Sequence, residues 1–401
     1  MKLYQISIFA FIVTTALVSL TSCEKNEVLP ASNYSCDLGN IDNSTNHPKA
    51  AIYQNILSEN RKNGLVGAVL LVKDKDGVWA GADGKADIAS DIEMASCNTF
   101  LIASISKVFT SAAIYRYIDQ GVLTLEDPVS KWLDASIIEK VNNADQAQIK
   151  HLLAHTSGIA DYYTFQFELD RINKITNNFT KLDVLKYTYG VATTNEVGAT
   201  YYYSNTNFLL LAMILESASG LSFEQVYQQE VFAPLGLNSA YYSEEQPIPD
   251  GCVKGYVDVY GNGQHIESEF LYNDELGIGG DGGIAINAFD LATFFEQMIK
   301  GNLISDNAIN AMTSWFDLPE EWTSPDDIYG QVENGFGIEK FNTQYGTAVG
   351  HTGGIDGFSS IALYFPEEDM TYILLLNSAG NEEGGNSRDK IFNEVMEEMF
   401  E

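Results

Sequence analysis

The stretch FLIASISKVFTSAAIYRYIDQG, Phe100 to Gly121, places Ser104 and Lys107 three residues apart at the head of an apolar-periodic run. Val108, Ala112, Ile114 and Tyr115 can pack inward from one helix over about Ser104 to Asp119, and Gly121 stops it. A serine at a helix N-terminus meets free backbone N–H groups and the positive end of the helix dipole, which favour developing negative charge. A lysine three positions on lies on the same face, and burial eases loss of its proton, so it can take one from the hydroxyl. The spacing alone is weak, because Ser22/Lys25 and Ser387/Lys390 repeat it. The first of those falls in a leader and tether. In the other, Ser387 caps a final helix, Ser387 to Phe400, that puts Ile391, Val395, Met396 and Met399 on one face.

Outward from this stretch, the chain changes pattern twice. His47 to Asn63 reads as an amphipathic helix with Ile52, Ile56 and Leu57 at helical spacing. LVGAVLLVKDKDGVWAGADGKAD, Leu65 to Asp87, reads as two strands around the turn Lys75-Asp76-Gly77. From about Ala135 to Asn273 the pattern is mainly helical. In SFEQVYQQEVFAPLGL, Ser222 caps, Phe223, Val226 and Val231 pack, and Pro234 ends the helix. After GIGGDGG a helix spans Ala288 to Ile299. Strands follow around Phe336 to Phe341, Thr347 to His351, Phe358 to Phe365 and Thr371 to Asn377. Strands at both chain ends around a helical middle predict an α+β fold. One antiparallel sheet, built from both ends and flanked by helices, would face an inserted helical lobe of about residues 135–285 across a cleft.

Composition sets further bounds. The 401 residues are 45% hydrophobic and 19% charged, globular values, but the formal net charge is −33. Such a surface repels nucleic acid and anionic headgroups, so neither is an expected partner. Lys2 precedes an apolar run, Ile6 to Leu20, shorter than the ~20 residues of a membrane-spanning helix. It ends in Leu20-Thr21-Ser22-Cys23, which resembles a bacterial lipobox and implies lipid attachment at Cys23; an ordinary signal peptide cleaved near Ser22 is the alternative. The expected organisation is a signal over residues 1–22, a flexible tether over 23–46 and one domain over 47–401, exported and membrane-anchored on the periplasmic or cell-surface side. Cys36, Cys97 and Cys252 are odd in number, so at least one thiol stays unpaired, and no chemistry is assigned to them.

Two further segments give the Ser–Lys pair company. ATYYYSNTNFLLLAMILESASG, Ala199 to Gly220, carries Tyr203-Ser204-Asn205 just before an apolar helix. AVGHTGGIDGFSSIALYF, Ala348 to Phe365, carries His351-Thr352-Gly353-Gly354 at a strand end, where glycine lets a backbone approach a ligand. Ser-x-x-Lys, Tyr-x-Asn and (Lys/His)-Thr-Gly, in that order, resemble the motif set of the serine β-lactamase and penicillin-binding-protein superfamily. The likeness is greatest to its class C β-lactamase-related branch: HLLAHTSGIADY (His151 to Tyr162), FAPLGL and GGDGGIAINAFDLATFF are similar to further stretches of that branch.

The resemblance implies that Ser104 attacks an acyl carbonyl and that Lys107 and Tyr203 share the proton handling, either being the general base. Asn205 would bond the substrate amide or hold Lys107, the N–H groups of Ser104 and Gly354 would form the oxyanion hole, and His351 would line the opposite wall. No metal or organic cofactor is implied. His351 stands where many lactamase relatives carry Lys, which weighs against efficient β-lactam hydrolysis and leaves DD-carboxypeptidase-like and D-aminopeptidase-like activity open. Val197-Gly198 replaces a frequent Pro-Gly. His151 and His155, four apart, lack a third ligand and are read as structural, His47 and His265 as solvent-exposed, and Asp281 as a turn residue. The expectation is a monomeric serine hydrolase, DD-carboxypeptidase- or D-peptidase-like, that cleaves an amide or ester of a small-molecule or peptide acyl substrate through a covalent acyl-Ser104 intermediate. A class C-like β-lactamase or esterase, and a non-catalytic lipoprotein that binds wall peptides, are the alternatives.

Overall fold

The computed structural model describes residues 46–173, 179–244, 252–268, 278–323, 328–378 and 387–401. The expected signal, Cys23, Cys36 and nearly all of the tether lie outside them. Nine strands form one sheet: β1 Gly67–Asp74, β2 Gly77–Asp87, β3 Ile92–Glu93, β4 Phe316–Asp317, β5 Gln331–Asn334, β6 Glu339–Thr343, β7 Gly346–Ile355, β8 Phe358–Phe365 and β9 Met370–Leu376. Their spatial order is β3-β2-β1-β9-β8-β7-β6-β5-β4, and every neighbouring pair is antiparallel. The chain ends meet where β1 pairs with β9, from Ala68↔Leu376 to Lys73↔Thr371.

Both faces of this sheet are covered, which explains its unbroken apolar runs. Alternate residues of a strand point to opposite faces. Ala68, Leu70 and Val72 meet Tyr53, Leu57, Ile391 and Val395 of helices α1 (Ala50–Lys62) and α8 (Ser387–Phe400). Val69 and Leu71 join the opposite cluster, with Val108 and Phe109 of α2 (Ser106–Asp119), Phe208 and Leu211 of α5 (Asn205–Ser219), and Leu291 and Phe294 of α7 (Ala288–Ile299). Short helices, among them α3 (Ile149–Leu153), α4 (Phe165–Asn173) and α6 (Phe223–Tyr227), add to the helical side.

Several local expectations are corrected. Ile52 is 41% exposed, because the buried stripe of α1 is Tyr53, Ile56, Leu57 and Asn60 and Ile52 lies one step off it. His47 is buried, with Nε2 3.0 Å from Asp74 Oδ1, and Tyr53 OH donates to Asp74 Oδ2 at 3.0 Å. Pro234 does not end its helix. A π-turn, Gln228–Phe232, already interrupts the ordinary hydrogen-bond ladder, so a last turn, Ala233–Leu235, accommodates the proline and stops at Gly236, φ +66°. The sixth strand begins at Glu339 instead of Phe336, since Phe336 N–H donates to Met312 O at 2.9 Å and Gly337 turns the chain with φ +90°. Cys97 is disulfide-bonded, whereas Cys252 is a free buried thiol pushed up to about 12 by burial.

Candidate active site

Ser104 sits on a single 3-10 turn, Ala103–Ile105, that runs into α2. Ala103 has φ +47°, a conformation costly for a residue with a Cβ. The segment before it is pinned: Phe100–Leu101 pair with Ala285–Ile286, and Ile102 N–H donates to Ile284 O at 3.0 Å. Strand β6 leaves β7 at Glu339↔Gly350, while β7 continues beside β8 to Ile355. The edge thereby freed lies against the serine turn. A Cβ on Gly353 would stand 2.2 Å from Ile102 O and 2.5 Å from Ser360 Oγ, so only glycine permits this approach.

Ser104 Oγ receives two hydrogen bonds, from Lys107 Nζ at 3.1 Å and from Tyr203 OH at 3.0 Å. Lys107 is 1% exposed, and its ammonium also donates to the carbonyl oxygen of Asp281 at 2.8 Å. Burial lowers the amine to about 8, against the upward pull of Asp281, Asp161 and Glu339. Burial drives the Tyr203 phenol the other way, well above its usual range. Near neutral pH the amine is therefore much closer to its free-base form than the phenol is to phenolate.

Tyr203 is itself held. His155, buried and at φ +54°, stacks on its ring with centroids 4.4 Å apart. Its Nδ1 accepts the Ser204 N–H at 3.1 Å, which leaves the proton on Nε2, and burial keeps the imidazole well below its usual range and neutral. Thereafter residues 155–162 zip against 203–207. Ser157 Oγ donates to Asn207 Oδ1 at 2.6 Å, Thr206 Oγ1 to Ala160 O at 2.8 Å, and Asp161 accepts from both nitrogens of Asn205.

A cleft of about 770 Å³ opens over this constellation. Ser104, Tyr203, Asn205 and Gly354 line it; Lys107 lies beneath. Its charged lining residues are Glu168, Asp258, Asp281 and Asp356, with no Lys or Arg among the described ones. Arg171, buried behind the wall, donates to Asp356 Oδ2 at 3.0 Å.

The structure thus brings Ser104, Lys107, Tyr203, Asn205 and Gly354 together and sets others back. His351 is 6% exposed, 3.9 Å from Glu339 Oε2, and outside the cleft lining. Strand alternation puts it on the face it shares with Gly353, the face that meets the serine turn, and its charge bears on His155 behind Tyr203, so His351 backs the site from beneath; Thr352 is half-buried. Asn205 bonds Asp161 and not Lys107, whose further partner is the Asp281 carbonyl. Asp281 is more than a turn residue, because it lines the cleft and its Oδ2 accepts from Tyr162 OH at 2.6 Å. Asp161 belongs to none of the three motifs, and its one signal in the sequence is its place inside HLLAHTSGIADY, the segment similar to relatives.

The family model described as Beta-lactamase matches residues 53–394. The chain is 29% identical over 322 residues to penicillin-binding protein 4* of Bacillus subtilis, covering 78% of this chain and 68% of that one. It is 25% identical over 315 residues to a D-aminopeptidase of Cereibacter sphaeroides, of whose length it spans 56% against 78% of its own. Its fold resembles that of a D-stereospecific amidohydrolase from Streptomyces sp., with TM-score 0.74, 24% identity, and 86% and 98% of the two chains covered. It also resembles a penicillin binding protein from Bacillus halodurans, with TM-score 0.71, 22% identity, and 87% and 100% covered.

Proposed function

The chain belongs to the Beta-lactamase family, and from that premise we propose that it is a serine hydrolase that cleaves amides through a covalent acyl-Ser104 intermediate. The observation that carries this reading is the double hydrogen bond on Ser104 Oγ, from a buried amine and a buried phenol, at the floor of an open cleft. Lys107 in its free-base form accepts the hydroxyl proton as Oγ attacks the carbonyl carbon. Tyr203 relays a proton toward the leaving nitrogen. The N–H groups of Ser104 and Gly354 hold the oxyanion, and water releases the acyl group.

A D-amino-acid-containing peptide or amide is the proposed substrate class, in keeping with the D-aminopeptidase relative. Four lining carboxylates and no cation among the described lining residues favour an acyl donor with a free amine over one held by its carboxylate. That consideration sets the DD-carboxypeptidase and β-lactamase readings behind the aminopeptidase-like one. Export and lipid anchoring at Cys23 belong to the same proposal, and palmitate incorporation abolished by Cys23→Ser is its check.

The test is intact mass after incubation with a fluorophosphonate and, separately, a penicillin. An adduct on the wild type that is missing from Ser104→Ala supports the activated nucleophile. The penicillin adduct's lifetime separates peptidase-like from lactamase-like behaviour. Tight wall-peptide binding with no adduct from either reagent would instead favour the binding lipoprotein.

A further inference from the structure

Asn205 opens helix α5, where its backbone N–H has no partner within the helix. Ser204, the N-cap, makes no side-chain cap bond. The acceptor comes from another segment: Asp161 Oδ1 takes the Asn205 N–H at 3.1 Å and the Tyr163 N–H at 3.2 Å. Asp161 Oδ2 takes Asn205 Nδ2 at 3.0 Å. A carboxylate occupied in this way only accepts, so it can face the nitrogen of the Asn205 amide and not its oxygen. The oxygen is turned away from Asp161, and Oδ1 has no hydrogen-bond partner among the described residues. Asn205 lines the cleft beside Ser104.

We propose that Asp161 is a positioning residue that sets the Asn205 amide so that its carbonyl oxygen faces the bound acyl donor, selecting donors with an N–H next to the scissile carbonyl. The inference rests on the acyl-Ser104 reading and adds to it a residue that never touches substrate and a stated preference. With the amide reversed, Asn205 would offer an N–H and favour an acceptor on the substrate. Glu168, Asp258, Asp281 and Asp356 reinforce the selection when that nitrogen is a charged amine.

The experiment compares kcat/KM for the 4-nitroanilides of D-alanine and propanoic acid, which differ only in the amine, alongside fluorophosphonate labelling of Ser104. In the wild type the amine should raise kcat/KM by roughly 10–100-fold, the range of a hydrogen bond to a charged group. Asp161→Asn, which can donate to the Asn205 oxygen and turn it away from the cleft, should cut that ratio at least about tenfold, mostly through KM. Asn205→Ala should cut it as far, and Asp161→Asn added to Asn205→Ala should change it no further, because Asp161 acts through Asn205. The Asn205→Ala measurement stands even if Asp161→Asn fails to fold. A wild type that labels at Ser104 yet shows no preference for the amine overturns the proposal. So does an unchanged ratio in Asn205→Ala, or an equal loss for both anilides in Asp161→Asn. Absence of labelling in the wild type would sink the acyl-Ser104 reading instead.

Discussion

The rate of Ser104 acylation as a function of pH shows which group takes the proton. Lys107 is lowered to about 8 by burial, while burial holds Tyr203 well above its usual range. With Lys107 as base, the reactive fraction is roughly 1% at pH 6, 9% at pH 7 and 91% at pH 9, from simple titration about that value. The second-order rate of fluorophosphonate labelling, read by intact mass under excess reagent, should therefore climb about tenfold from pH 7 to pH 9 and then level. Asp281 is the leading charge that holds the amine up, and its carbonyl contact with Nζ is backbone. Asp281→Asn keeps that contact, removes the charge and should move the inflection to lower pH. With Tyr203 as base the rate would keep rising through pH 10 without levelling. Such a continued rise, or a flat profile from pH 6 to 10, would refute the assignment of Lys107.

Further outcomes follow from burial and close contact. Lys107 is lowered on folding, so between about 8 and its ordinary 10.5 the unfolded chain binds more protons and stability rises with pH through that window. Below it the buried cation is a net cost. Lys107→Met should abolish labelling yet raise the denaturation free energy at pH 7 by about 1–3 kcal/mol in urea titrations, and flatten the rise above pH 8. His155 is also lowered, so stability is full above the unfolded histidine value and falls as pH drops below it, by about 1.4 kcal/mol per pH unit. His155→Gln, which stays uncharged, should remove that share of the loss between pH 6.5 and 5, measured by thermal unfolding. Gly353→Ala should cost about 1–3 kcal/mol and slow labelling at least tenfold, because its Cβ forces β7 away from Ile102. Gly354→Ala, with nothing within 4 Å of the new methyl, should leave the unfolding midpoint within a degree or two.

Much of this protein could be read along the chain, because the relevant signals are local. The hairpin at Lys75-Asp76-Gly77 depends on adjacent residues, as do the helices Ala288–Ile299 and Ser387–Phe400 and the strand Phe358–Phe365. The ordered triplets that mark Ser104, Lys107 and Tyr203 are likewise a property of the string. Phase errors appeared where one step of helical rotation decides burial, as at Ile52, and where a long-range partner changes a residue's surroundings, as Asp74 does for His47. Only the fold decided what each site residue faces. Strand alternation turned His351 inward, a carboxylate 44 residues away oriented Asn205, and the Asp281 carbonyl, 174 residues from Lys107, completed the amine's partners. The physical reason is range. Backbone propensity and apolar period act over a few residues and are written in order, whereas burial, and through it the Lys107 pKa, is summed over every segment that packs around the group.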